Sequence, residues 1–219
     1  MLALWPTADG REEYAVAFDR GRRNRVLFLP ALFEEGNKLR HLTLETMRAL
    51  DRGGVDCFLP DLAGCNESLA SMADQDLESW RSDASSAARH FDVTHVLAMR
   101  AGSLIVPQGL AGWSYAPAKG ASILATMLRA GVLSAREAGR EKDRDSLLAE
   151  GLANGLELAG FALSRQMIAQ LQTAQPAEQL APISQGLIGG AGLWLRAEPD
   201  HNAAQSDALA SVLLDQLTS

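Results

Sequence analysis

Cysteine is scarce in this chain. Cys57 and Cys65 are the only two in 219 residues, too few for a disulfide framework and wrongly spaced for a zinc knuckle. A positive charge excess is missing as well. Lys and Arg number 20 against 27 Asp and Glu, a formal net charge of −7, and the isoelectric point is near 5.1. That balance argues against a nucleic-acid partner or an anionic membrane surface. No apolar run approaches the ~18 residues needed to span a bilayer. The start, Met1-Leu2-Ala3-Leu4-Trp5-Pro6, has neither the basic residues nor the apolar length of a signal peptide. The expectation is a cytoplasmic protein with no bound metal, no cofactor and no internal repeat. Hydrophobic residues at 47% and charged residues at 21% place the chain among globular proteins and exclude a disordered one.

Against those absences stands a regular rhythm of apolar runs. Glu13–Phe18 alternates, and after the polar turn Asp19–Asn24 the run Arg25-Val26-Leu27-Phe28-Leu29 reads as a fully buried strand ending at Pro30. Leu39, Leu42, Leu44, Met47 and Leu50 have helical spacing, and Gly53-Gly54 closes that helix before a second strand, Val55–Pro60. Asp61–Ser68 is a loop, and Leu77–Phe91 a helix with Trp80, Ala84 and Ala88 on one face. A third strand, Thr94–Met99, ends abruptly in the small residues Ala101, Gly102 and Ser103, and Leu104 and Ile105 follow as an apolar stretch that a helix could bury.

Strands alternating with helices in this way predict an α/β fold, a mostly parallel sheet with helices on both faces. Sites in such sheets form at the carboxyl ends of the strands, where strand order reverses. Pro30–Asn37, Asp61–Ser68 and Arg100–Ser103 all start at such ends and are expected to converge on one crevice. Beyond Leu110 the pattern predicts a short strand at Gly112–Pro117, a helix at Ser122–Leu133 and a charged, solvated helical stretch at Ala135–Glu150. A hairpin piece at Asn154–Phe161 and a helix at Leu163–Leu171 with Ser164 as its cap follow. Gln172–Gln185 reads as a linker, Gly192–Glu198 as the last strand and Asp207–Leu217 as a closing amphipathic helix. One domain over 1–219 is expected, with 118–180 as a small helical lid region.

The stretch around Arg100 has the shape of a nucleophile elbow, the strand-to-helix turn that carries G-x-S-x-G in α/β-hydrolases. On that frame Ala98 takes the first glycine, Gly102 the last, and Arg100 the position of the serine. With these pieces placed, the chain resembles the exosortase A system-associated hydrolases, type 2, of the α/β-hydrolase superfamily. The likeness rests on Pro30-Ala31-Leu32-Phe33-Glu34-Glu35-Gly36-Asn37-Lys38-Leu39-Arg40, Asp61-Leu62-Ala63-Gly64-Cys65-Asn66-Glu67-Ser68, Trp80 and Met99-Arg100-Ala101-Gly102. It extends through Trp113–Gly120 and Leu156–Ser164. The resemblance implies a bacterial protein associated with exopolysaccharide and protein-sorting clusters, an α/β-hydrolase-like fold and ester, thioester or acyl-transfer chemistry. The segment between Gly102 and Trp113 is short by the family's pattern.

A guanidinium stays protonated and is no nucleophile. At the elbow Arg100 can hold a carboxylate, phosphate or sulfate beside a helix N-terminus, or pair internally with Glu34 or Glu35. Lys38 and Arg40 compete for the same glutamates. If catalysis survives, the candidates are Ser103, a hydroxyl one residue past Gly102 and equally a local cap; Cys65, a thiol that a nearby cation could activate or a small packed residue; and His201, placed after Pro199-Asp200 where a base is expected. Around a ligand the candidates are Arg100 with Phe33, Glu34 and Glu35 from one loop and Asp61 and Ser68 from the next, the last two also serving as loop braces. Two readings remain open: a hydrolase or acyl transferase with a nonstandard nucleophile, and a pseudoenzyme. The latter would be a non-catalytic module that binds a small anionic or acyl ligand, a second copy of itself or an exopolysaccharide- or sorting-system partner.

Overall fold

The structure, a computed structural model, describes residues 1–218, with side chains through 217. Its sheet has seven strands, side by side in the order 2–6, 12–18, 56–60, 25–29, 95–99, 112–115 and 181–183. The strands are β1 (Leu2–Pro6), β2 (Glu12–Phe18), β3 (Arg25–Leu29), β4 (Asp56–Pro60), β5 (His95–Met99), β6 (Gly112–Tyr115) and β9 (Ala181–Ile183). β1 and β2 form an antiparallel flank, and β2 runs antiparallel to β4. The pairs β4–β3, β3–β5, β5–β6 and β6–β9 are all parallel. β3 sits at the switch point: the chain leaves it toward β4 on one side and returns as β5 on the other. The carboxyl ends of β3 and β5 therefore flank the crevice that parallel sheets offer to ligands.

The continuous apolar runs of β3 and β5 are buried on both faces because each face is covered. Val26, Phe28, Leu97 and Met99 point toward α1 (Glu34–Arg52) and α6 (Ala203–Thr218). Leu27, Leu29, Val96 and Ala98 point the other way, toward α2 (Leu77–His90), α3 (Gly120–Glu137) and α5 (Arg165–Thr173). α2 starts cleanly because the Asp76 side chain accepts hydrogen bonds from the Glu78 and Ser79 amides while Ser79 Oγ accepts from the Asp76 amide, a reciprocal cap. α5 is stitched to that start: Gln170 Oε1 accepts from the Leu77 amide at 2.7 Å and Ser164 Oγ donates to the Gln75 carbonyl at 2.9 Å. Outside α3 and α5 lie α4 (Arg144–Asn154) and a hairpin of β7 (Leu156–Leu158) and β8 (Phe161–Leu163). Ala159 and Gly160 turn that hairpin with φ of 51° and 81°, the paired positive values a two-residue hairpin demands. Among the described residues no helix is long and apolar enough to cross a membrane.

Several expectations are corrected. The edge strand β1 arises where no element was foreseen; its single fully buried side chain, Trp5, leaves too weak an alternation to read. Gly192–Glu198 is no strand but a short 3-10 turn at Leu193–Leu195. The last parallel strand is instead β9, inside the expected linker, three residues long with Pro182 at its centre. Proline is tolerated there because β9 is an edge. The charged stretch 135–150 is broken at Gly139 (φ +70°) and restarts at the Asp143 cap of α4. α1 begins at Glu34, not Leu39, so the paired glutamates sit in its first turn. After β5 the chain makes only a 3-10 turn, Arg100–Leu104. With Pro107 close behind and β6 opening at Gly112, no room remains for an α-helix.

Candidate functional site

The turn after β5 is as tight as a nucleophile elbow requires. Arg100 has φ +51°, a left-handed conformation that costs a non-glycine residue roughly 1–3 kcal/mol and persists where surroundings enforce it. Gly102 shows the enforcement: a Cβ there would lie 2.5 Å from the Pro30 carbonyl oxygen and 2.6 Å from that of Leu29. The elbow backbone is thus pressed onto the end of β3, and only glycine fits at that position.

The Arg100 side chain is enclosed on every face for which the structure gives a partner. Nε donates to Glu35 Oε2 at 3.0 Å and Nη2 to Glu35 Oε1 at 3.1 Å, a bidentate fork, while Nη1 donates to the Ala116 carbonyl at 2.6 Å. The guanidinium carbon lies 4.1 Å from the Trp194 ring centre, a stacked cation–π contact. The two charged side chains are 15% and 19% exposed, so the pair is largely withdrawn from water. Phe33 aims Glu35: it caps α1 at φ 58° and ψ −136°, a bend that swings the first turn of α1 over the elbow. The competition for the glutamates resolves by geometry. Lys38 takes Glu34 at 2.7 Å, one turn along the helix, Arg40 reaches Asp61 at 3.7 Å, and Glu35 is left for Arg100. Beside them Tyr115 donates to Gln185, and burial pushes its phenol up to about 12 despite the lowering influence of Arg100 and Gln185.

The other predicted residues do not assemble into a triad. Ser103 is 1% exposed and its Oγ donates to the Arg100 carbonyl at 2.7 Å, so its proton is spent on a local cap. His201 stacks on His41 with ring centres 4.0 Å apart and planes 14° apart. His41 follows Glu35 by six residues on α1, which at 1.5 Å rise places it about 9 Å farther along the helix, away from the carboxyl ends of the strands. Burial, then the nearby Asp61 and Glu13 charges, pushes the Cys65 thiol up to about 12, so it stays protonated and is a poor nucleophile. Asp61 accepts from Asn66 Nδ2 at 2.7 Å. Ser68 Oγ donates to Glu13 Oε1 at 2.7 Å and accepts from the Gly64 amide at 2.9 Å. Both brace the loop after β4, which needs the support because Asn66 sits at φ +49°. Among the described residues no group of three or more His, Cys, Asp or Glu is placed to hold a metal ion.

The expected single crevice is in fact divided. Arg100 turns toward α1 and Trp194. The loops after β3 and β4, with residues of α1, instead line a separate cavity of about 410 Å³ that Arg100, Glu35 and Trp194 do not border. Its walls include Phe33, Leu62, Met72, Trp80 and Phe161, with Asn37, Arg40 and Asn66 as polar lining. Phe33 sits between the other two rings, 5.7 Å from Trp80 and 5.5 Å from Phe161. The I′ turn at 159–160 delivers Phe161 there. Sequence reasoning did not name Arg40 or Phe161 as site residues, although both lie inside the stretches that carry the resemblance. A larger, open groove of about 700 Å³ runs between α2 and residues 107–110, and neither Arg100, Glu35 nor Trp194 lines it.

With that geometry in place, comparison with solved structures is informative. Over 99% of this chain and 100% of its own, Est1E of Butyrivibrio proteoclasticus, solved with ferulic acid bound, matches with a TM-score of 0.62 at 15% identity. A candidate hydrolase from Agrobacterium vitis S4 matches over 78% of this chain and 70% of its own, with a TM-score of 0.52 at 17% identity. The chain has the α/β-hydrolase fold. Epoxide hydrolase A from Mycobacterium thermoresistibile matches less completely, over 53% of this chain at 16% identity and a TM-score of 0.44, and the chain spans only 39% of that enzyme's length. No family model and no curated protein sequence matches the chain. The α/β-hydrolase fold hosts many chemistries, so function has to be argued from the site.

Proposed function

We propose that this chain is a non-catalytic binding module built on the α/β-hydrolase fold, a pseudoenzyme of the exosortase- and exopolysaccharide-associated type acting in the bacterial cytoplasm. One observation carries the reading: Arg100, at the elbow turn, is held in a bidentate pair with Glu35, bonded to the Ala116 carbonyl and stacked on Trp194. An acyl group arriving at that turn would meet a satisfied guanidinium, not an exposed hydroxyl. The absence of an α-helix after the turn removes the row of free amides that would hold an anion there.

The hydrolase or acyl-transferase alternative needs Ser103 or Cys65 as nucleophile with His201 as base. It is disfavoured by the Ser103 hydrogen bond to Arg100, by the protonated Cys65 thiol and by the stacking of His201 on His41. Catalysis through a nucleophile requires a base within about 2.6–3.2 Å. The test is a panel of short-chain p-nitrophenyl esters and acyl thioesters. The expected result is release no faster than in buffer. Turnover that survives purification and vanishes in Ser103→Ala or Cys65→Ser overturns the reading. Residues 118–180 form, in this proposal, a lid over the cavity that holds the ligand.

A further inference from the structure

We infer that the 410 Å³ cavity is a binding site for a small organic acid with an aromatic or short alkyl body, whose carboxylate is received by Arg40 and not by Arg100. The inference rests on the binding-module reading and names the ligand class for it.

The volume falls within the ~300–1,000 Å³ typical of small-molecule sites. The walls dictate the body of the ligand. Phe33, Trp80 and Phe161 present a tilted and an edge-on pair of rings, and Leu62 and Met72 complete an apolar lining. Phe33 packs directly on both other rings, so the ligand's ring or hydrocarbon lies against this cluster and not between its members. Trp80 has no hydrogen to offer the ligand, since its Nε1 donates to the Ala63 carbonyl at 2.9 Å. The polar end is set by Arg40. Its contact with Asp61 is 3.7 Å, close enough to hold the guanidinium at the cavity and too long for a hydrogen bond. The side chain is 37% exposed, so its fork of donors is open to a bidentate carboxylate. Asn37 and Asn66 stand beside it, and Asn66 Nδ2 is committed to Asp61. The two arginines thus differ in one respect that matters: Arg100 is hydrogen-bonded to the carboxylate of Glu35, whereas Arg40 has only the 3.7 Å ion pair with Asp61.

Titration calorimetry on the full chain with 4-phenylbutyrate and octanoate, and with 4-phenylbutyramide as the uncharged control, tests this. Both acids are expected to bind, the amide at least tenfold more weakly than its acid. Arg40→Gln is expected to bring the acid down to the level of the amide while leaving the amide unchanged, and Phe161→Ala to weaken acid and amide alike. Equal binding of acid and amide, or an Arg40→Gln variant that binds the acid as wild type does, overturns the assignment of a carboxylate. No binding of either acid overturns the site itself. If Arg40→Gln fails to fold, the comparison of acid with amide on the wild-type chain decides alone. Ester turnover by the wild type would sink the non-catalytic reading without touching these titrations, because free acids are not its substrates.

Discussion

Removing Arg100 leaves Glu35 as an unpaired carboxylate that is 19% exposed. Breaking a mostly buried pair by deleting one partner costs about 3–5 kcal/mol, chiefly because the surviving charge stays desolvated. For a chain of this size, that corresponds to a drop in Tm of roughly 6–20 °C at 2–4 °C per kcal/mol. Arg100→Lys keeps the charge but loses the fork and the Trp194 stack, so an intermediate loss is expected. Replacing both partners together, as in Arg100→Met with Glu35→Leu, leaves no orphaned charge and is expected to recover most of the stability lost in either single variant. Urea unfolding of wild type, the two single variants and the double variant gives the coupling free energy directly. The reasoning is refuted if Arg100→Ala lies within about 0.5 kcal/mol of wild type, the range of ordinary surface changes.

Cys65, with its thiol pushed up to about 12 by burial, is expected to react with iodoacetamide far more slowly than free cysteine at pH 8, with a rate still climbing at pH 10. Peptide mass mapping after timed quenching checks this. Gly102→Ala forces a methyl to 2.5 Å from the Pro30 carbonyl oxygen, an overpacking expected to cost about 1–3 kcal/mol or more, read as a lowered urea midpoint. Asp19 is held below its ordinary range by the hydrogen bond from Arg25. Its folded value is thus below its unfolded one, so it stabilises at neutral pH and that contribution is lost as pH falls through the folded value. Asp19→Asn is expected to lower stability more at pH 6 than at acid pH, and a loss equal at both would contradict the sign.

What could be read from the chain was whatever a strong period announces. The unbroken runs Val26–Leu29 and Val96–Met99 identify central parallel strands because both faces of each are buried. The small residues after Met99 identify a sharp turn because a backbone approaches there. Three-residue strands escape such reading: β9 has no period to show, and Pro182 hides it further. The local pattern places Trp194 on a strand, whereas its stacking on Arg100 depends on a fold-back of the chain that no local signal encodes. The division of the crevice was equally hidden. It depends on Phe33, whose left-handed φ turns Glu35 toward Arg100 while its own ring faces Trp80 and Phe161.

A non-catalytic module requires that no reactive hydroxyl or thiol stand at the elbow. Intact-mass spectrometry after incubation with a fluorophosphonate tests it most directly, because such reagents stay attached only to an activated nucleophile. The unmodified mass is expected, before and after addition of 4-phenylbutyrate. A stoichiometric adduct mapping to Ser103 would contradict it.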